Sequence, residues 1–65
     1  MKINNNVQPV RKSLHLTQES LAKQIGVSRR FIFSIEKGNY TPSLMLAFQL
    51  AQALKTPLTD LFTMQ

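Results

Sequence analysis

The residues of this chain best suited to chemistry are cations, and three of them are gathered. Arg29, Arg30 and Lys37 share one short stretch with Phe33 and Ser34. On a helix advancing about 100° per residue these five fall on one side, while Phe31, Ile32 and Ile35 fall on the other. The stretch from about Ser28 to Lys37 is therefore expected to be a helix with an apolar back and a cationic front. Arg29 and Arg30 would stand in its first turn, where the positive end of the helix dipole disfavours cations. Stability alone would not select them there. A polyanion would, because its phosphates supply the missing negative charge, and an arginine fork can grip guanine O6 and N7 together. The chemistry on offer is recognition of a nucleic-acid groove, with Arg29 and Arg30 directed at bases. Phe33, near the centre of this face, has two open readings: packed on a thymine methyl, or an exposed apolar side chain without a role.

The remaining reactive types support little else. His15 is the single histidine, there is no cysteine, and the three acids Glu19, Glu36 and Asp60 are dispersed. That excludes thiol nucleophiles and disulfides, and it argues against a metal site or a paired-carboxylate mechanism. No glycine-rich phosphate loop is present. Neither an enzyme nor a cofactor or small-molecule ligand is expected. Eight Lys and Arg against three acids give a formal charge of +5, which predicts attraction to nucleic acid first and to an anionic membrane surface second. No run approaches the roughly eighteen apolar residues of a membrane span. The start, Met1 to Asn6, lacks the apolar core of a signal peptide, so a cytoplasmic protein is expected.

With 65 residues the chain is expected to form one domain, residues 1–65. A chain this short buries only about 60% of its unfolded surface and needs well-packed helices, a partner subunit, or both. Spacing predicts five helices. The first runs from about Asn6 to Ser13, with Val7, Val10 and Leu14 inward and Pro9 in its first turn. The second opens at Thr17 as N-cap and places Leu21, Ala22 and Ile25 on one face. Gly26 ends it, and Ser28 caps the third. The fourth runs from about Ser43 to Leu54. Leu44, Ala47, Leu50, Ala51 and Leu54 repeat along it, and Leu46 and Phe48 widen the stripe into that of a central, heavily buried helix. A short fifth begins near Thr56 and Pro57 and presents Leu58, Leu61 and Phe62. The fold class is all-α. The end segments, Met1–Asn4 and Thr63–Gln65, either fray or pair as short strands. The second and third helices, joined only through Gly26, Val27 and Ser28, must cross steeply over the small Ala22, which is a helix-turn-helix.

At this point the chain resembles the XRE-type helix-turn-helix regulators, which include the phage lambda cI and Cro repressors. The resemblance runs from Val7 to Phe62. It is carried by Val10 and Arg11, Thr17 and Gln18, Leu21 and Ala22, the run Ile25-Gly26-Val27-Ser28, Ile32, Ile35 and Glu36, Gly38, Pro42-Ser43-Leu44, Ala51, and Asp60-Leu61-Phe62. The compact length, Ile3-Asn4-Asn5 at the front and Thr56-Pro57-Leu58 near the end look most like a small stand-alone subgroup that includes a cytolysin-operon repressor. The resemblance implies that Ser28, Arg29, Arg30 and Ser34 touch base edges or flanking phosphates. It implies that Gln18 contacts a phosphate and orients the recognition helix, and that Lys37, Asn39, Tyr40 and Thr41 grip the DNA backbone. It implies an ion pair between Arg11 and Glu36. Ser28 is equally explained as an N-cap, and Thr41 competes with Ser43 to cap the fourth helix.

The function so implied is sequence-specific binding of double-stranded DNA by a bacterial or phage-encoded, nucleoid-associated transcriptional repressor. One recognition helix covers few base pairs, so a homodimer on a two-fold symmetric operator is expected. Phe62 and Met64, with Leu58 and Met45, are the apolar candidates for its interface. The competing reading is an antitoxin or antagonist acting mainly through a protein partner.

Overall fold

Three hydroxyl side chains begin three of the helices. A computed structural model describes residues 3–64, in the order β1 (Ile3–Asn5), α1 (Val7–Ser13), α2 (Gln18–Ile25), α3 (Arg29–Glu36), α4 (Leu44–Ala53), α5 (Leu58–Leu61) and β2 (Phe62–Met64). Met1, Lys2 and Gln65, part of the terminal segments considered above, lie outside the described residues. Thr17 Oγ1 accepts from the Ser20 amide at 3.0 Å while Ser20 Oγ accepts from the Thr17 amide at 3.1 Å, a reciprocal cap at the start of α2. Ser28 Oγ accepts from the Phe31 amide at 3.1 Å and Ser43 Oγ from the Leu46 amide at 3.2 Å, which starts α3 and α4.

The helices before α5 all stop in one way. His15, Gly26, Gly38 and Lys55 have φ of 60°, 75°, 80° and 52°, the left-handed region. The residue after each donates its amide to the carbonyl five positions back: Leu16 to Arg11, Val27 to Ala22, Asn39 to Ser34 and Thr56 to Ala51, at 3.0–3.1 Å. Glycine makes two of these stops without strain. At His15 and Lys55 a side chain is carried through a conformation that disfavours it.

Val7, Leu21, Ala22, Ile32, Ile35, Leu50, Leu54 and Leu61 form one buried cluster to which all five helices contribute. The ends pair as antiparallel strands, Ile3 opposite Met64, Asn4 opposite Thr63 and Asn5 opposite Phe62. This adds a two-stranded sheet to a mainly helical fold. The Asn6 amide donates to the Leu61 carbonyl at 2.8 Å and Asn6 Nδ2 to the Asp60 carbonyl at 2.9 Å, which locks the start of the chain to its end.

Two expectations about burial are corrected. Leu14 is 40% exposed rather than inward, because α1 stops at Ser13 and the chain turns away through His15. The fourth helix is not buried all round: Leu44, Met45 and Phe48 are 69%, 70% and 52% exposed. The reason is angular. Ala47, Leu50 and Leu54 face the core, Met45 and Phe48 point away from it, and Leu44, in the first turn, stands at the rim of a groove that it lines with Ile3, Leu58 and Phe62.

Candidate nucleic-acid interface

α3 is held from behind by several independent groups. Ile32 and Ile35 are fully buried in the core. Glu36, at its C-terminal end, receives Arg11 Nε at 2.7 Å and Arg11 Nη2 at 3.3 Å, and both side chains of this pair are almost wholly buried. Arg11 Nη1 donates to the Leu16 carbonyl at 2.8 Å, and Gln18 Nε2 donates to Glu36 Oε1 at 3.0 Å. α1, the α1–α2 turn, α2 and α3 thus meet on one charged network. Asn5 adds a tie from β1, its Nδ2 donating to the Ile35 carbonyl at 2.8 Å. A helix fastened at this many points presents its outer side chains with little freedom to retreat.

On that outer face Arg29 and Arg30 are exposed, Phe33 is 45% exposed and Ser34 is half-buried. These four line a shallow depression of about 390 Å³. Lys37 Nζ stands 5.5 Å from the centre of the Phe33 ring, a cation–π contact at the C-terminal end of the face. The single ion pair among the described residues is Arg11–Glu36, so no acid neutralises Arg29, Arg30 or Lys37.

The residues after α3 continue the surface. Lys37, Asn39 and Thr41 line a polar hollow of about 620 Å³ whose opposite wall includes Asn4 and Asn5 of β1. Tyr40 is half exposed and rests edge-on against Phe31, ring centres 4.9 Å apart. Thr41 does not cap α4, since Ser43 does, and its hydroxyl is left exposed. Ser28 caps α3. Gln18 serves the Glu36 network and also lines, with Gln8, Phe33 and Lys37, a small hollow beside α3. Its amide therefore links the support of the helix to its outer face. The expected base-facing set, Arg29, Arg30, Phe33 and Ser34, is brought together around one depression, while Lys37, Asn39 and Thr41 form an adjoining polar wall.

The apolar candidates lie elsewhere. Met45 and Met64 are exposed, whereas Leu58 and Phe62 are half-buried and line a groove with Ile3, Pro42 and Leu44. Sequence reasoning missed Leu44 and Phe48 as exposed apolar side chains: Leu44 keeps the spacing of the core stripe and is exposed by its place in the first turn, whereas Phe48 lies about 100° from Ala47. It also missed Asn5, for which the run Asn4-Asn5-Asn6 ahead of an apolar helix was the clue. Asn5 Oδ1 accepts from the Val7 amide at 3.2 Å, turning the chain into α1.

Two short helices crossing at a glycine turn, the second offering an uncompensated cationic face, define a helix-turn-helix DNA-binding module. The family described as Helix-turn-helix (HTH_3) matches residues 10–61, and the chain belongs to this XRE-type family. It is 54% identical over 52 residues, 78% of this chain and 79% of the other, to an uncharacterized HTH-type transcriptional regulator of Methanocaldococcus jannaschii. A second such regulator, from Bacillus subtilis, is 36% identical over 61 residues, 94% of this chain and 92% of that one. Among solved structures, the restriction-modification controller protein C.AhdI of Aeromonas hydrophila superposes with a TM-score of 0.78 at 30% identity, covering 83% of this chain and 82% of its own. The protein is a DNA-binding helix-turn-helix regulator of transcription.

Proposed function

We propose that residues 1–65 act as one DNA-binding domain that represses transcription as a homodimer on a two-fold symmetric operator. The observation that carries this reading is the α3 face, where Arg29, Arg30, Phe33 and Ser34 surround one depression on a helix anchored from behind. Set in the major groove, the two arginines donate to guanine O6 and N7, and Ser34 donates to or accepts from a neighbouring base edge. Gln18, Ser28, Lys37, Asn39, Tyr40 and Thr41 donate N–H or O–H groups to phosphates on either side. These contacts set register without reading sequence. Ser28 does so while capping α3, since its oxygen accepts from Phe31 and its proton is free to donate.

The dimer is supported by the exposed apolar side chains of Leu44, Met45 and Phe48 on α4 and of Ile3 and Met64 on the strands, all between 46% and 70% exposed. Leu58 and Phe62 floor the adjoining groove. An isologous contact through this surface sets two α3 helices in successive major grooves, and the bound dimer blocks polymerase by occupancy. The similarity to a protein named as a restriction-modification controller fits a role in control.

Selection of random duplex DNA by the purified protein, read by sequencing, tests the proposal. A two-fold symmetric motif is expected, and a reporter promoter carrying it should fall in output when the protein is expressed. Recovery of no motif would overturn sequence specificity. A motif without symmetry would overturn the dimer, and a rise in output would overturn repression.

A further inference from the structure

The centre of the α3 face is not purely polar. Among the described residues its depression is lined by two arginines, one serine and one phenylalanine. Arg29 and Phe33 are one turn apart, as are Arg30 and Ser34, so around the helix axis position 33 falls between positions 29 and 30. Phe33 is 45% exposed and stands outside the buried cluster, with Lys37 Nζ 5.5 Å from its ring on the C-terminal side. A half-exposed ring contributes little to the core that a smaller side chain would not. The ligand complementary to such a surface carries an apolar knob directly beside paired hydrogen-bond acceptors.

In the major groove the only apolar knob on a base edge is a methyl on pyrimidine C5, and the paired acceptors are guanine N7 and O6. A pyrimidine followed on its 3′ side by guanine sets the two next to each other. We infer that Phe33 is a specificity-determining residue that receives the 5-methyl group of a pyrimidine immediately 5′ of a guanine gripped by Arg29 or Arg30. This rests on the reading of α3 as the recognition helix. It makes the protein a reader of the methyl group itself: thymine is accepted, unmethylated cytosine at the same step is penalised, and 5-methylcytosine recovers part of what thymine gives. A TpG step and a methylated CpG step would present the same pair of features to the depression.

The test uses the intact protein and the operator enriched by selection, with binding followed by fluorescence anisotropy. Each thymine in turn is replaced by deoxyuridine, which removes only the methyl. At one thymine per half-site, 5′ of a guanine, binding should weaken about fourfold, the equivalent of about 0.8 kcal/mol for one buried methylene-sized group. Replacing that thymine by cytosine should weaken binding further, and 5-methylcytosine should restore part of the loss. In Phe33→Ala, whose core is untouched, the thymine–uracil difference at that position should vanish while differences at other thymines persist. An operator tolerant of uracil at every position, or a methyl effect that survives in Phe33→Ala, would overturn the inference and leave the recognition-helix reading standing. Failure to enrich any operator would overturn both.

Discussion

At the scale of single residues, the outer face of α3 and the network behind it make opposite predictions. Arg29 and Arg30 are exposed and bound to no acid, so their removal should leave the fold intact. Arg29→Ala or Arg30→Ala should lower affinity for the operator by about 1–3 kcal/mol and relax base preference at one position, with an unchanged melting temperature. Lys37→Ala should weaken binding to all sequences alike and flatten the salt dependence by about one unit, measured by titration across ionic strength. Arg11 behaves in the reverse way. Its guanidinium is buried against Glu36 and the Leu16 carbonyl, so Arg11→Ala strands a buried carboxylate that also holds Gln18. Breaking a buried pair from one side costs about 3–5 kcal/mol. Stability on the order of 0.05–0.15 kcal/mol per residue leaves a domain this small little margin. Urea denaturation should therefore show Arg11→Ala largely unfolded, and its loss of DNA binding should track the unfolded fraction. A folded Arg11→Ala protein that no longer binds would instead place Arg11 in the DNA contact.

At the scale of elements, helix ends decide most of the architecture. Gly26 sits at φ 75° in the turn between α2 and α3, with open space where a Cβ would stand. Gly26→Ala should accordingly cost about 1 kcal/mol through backbone strain alone. His15 and Lys55 make the same kind of stop with side chains, at φ 60° and 52°. His15→Gly relieves a left-handed penalty of about 1–2 kcal/mol against an unfolded-state entropy cost of about 0.5–1 kcal/mol. A net gain of several tenths of a kcal/mol or more is expected, seen as a rise of a few degrees in melting temperature. These ends also explain what was legible in the sequence. Thr17, Ser28 and Ser43 announce helix starts by type, and Gly26 and Gly38 announce stops. His15 and Lys55 do not, because neither residue type favours the conformation it adopts, and long-range packing imposes it. The strands were only half legible. Three residues carry too little alternation to declare a strand, and their pairing is fixed by bonds between distant residues such as Asn6 and Leu61. The α3 face was readable because helical spacing alone separates Arg29, Arg30 and Phe33 from Ile32 and Ile35. The exposure of Leu44 and Phe48 was not read, because apolar identity says that a side chain wants cover without saying whose.

At the scale of the whole molecule, that missing cover meets a geometric requirement. Two adjacent major-groove half-sites are about 34 Å apart. The longest extent of this chain is 30 Å, and it carries one recognition helix. The proposed dimer would span them with two copies, and the surface with most to gain from such pairing is the one holding Leu44, Met45 and Phe48. A charge placed there should separate the copies without disturbing the core, since these side chains already face water in one protomer. On the proposed dimer, the parent is expected to sediment as a dimer and Met45→Glu combined with Phe48→Glu as a monomer at the same concentration. Burying four like charges against each other in an isologous contact would be strongly unfavourable. The variant should keep its helical circular dichroism and bind an isolated half-site as the parent protomer does. Its affinity for the full operator should fall by more than tenfold, because the second half-site no longer adds to the first. Leu50→Glu is the contrast, since Leu50 lies in the buried cluster and should unfold the chain outright. If the double variant still binds the full operator cooperatively, the copies meet through another face; if the parent itself is monomeric at operator-saturating concentrations, α4 covers its apolar side against an unlike partner instead.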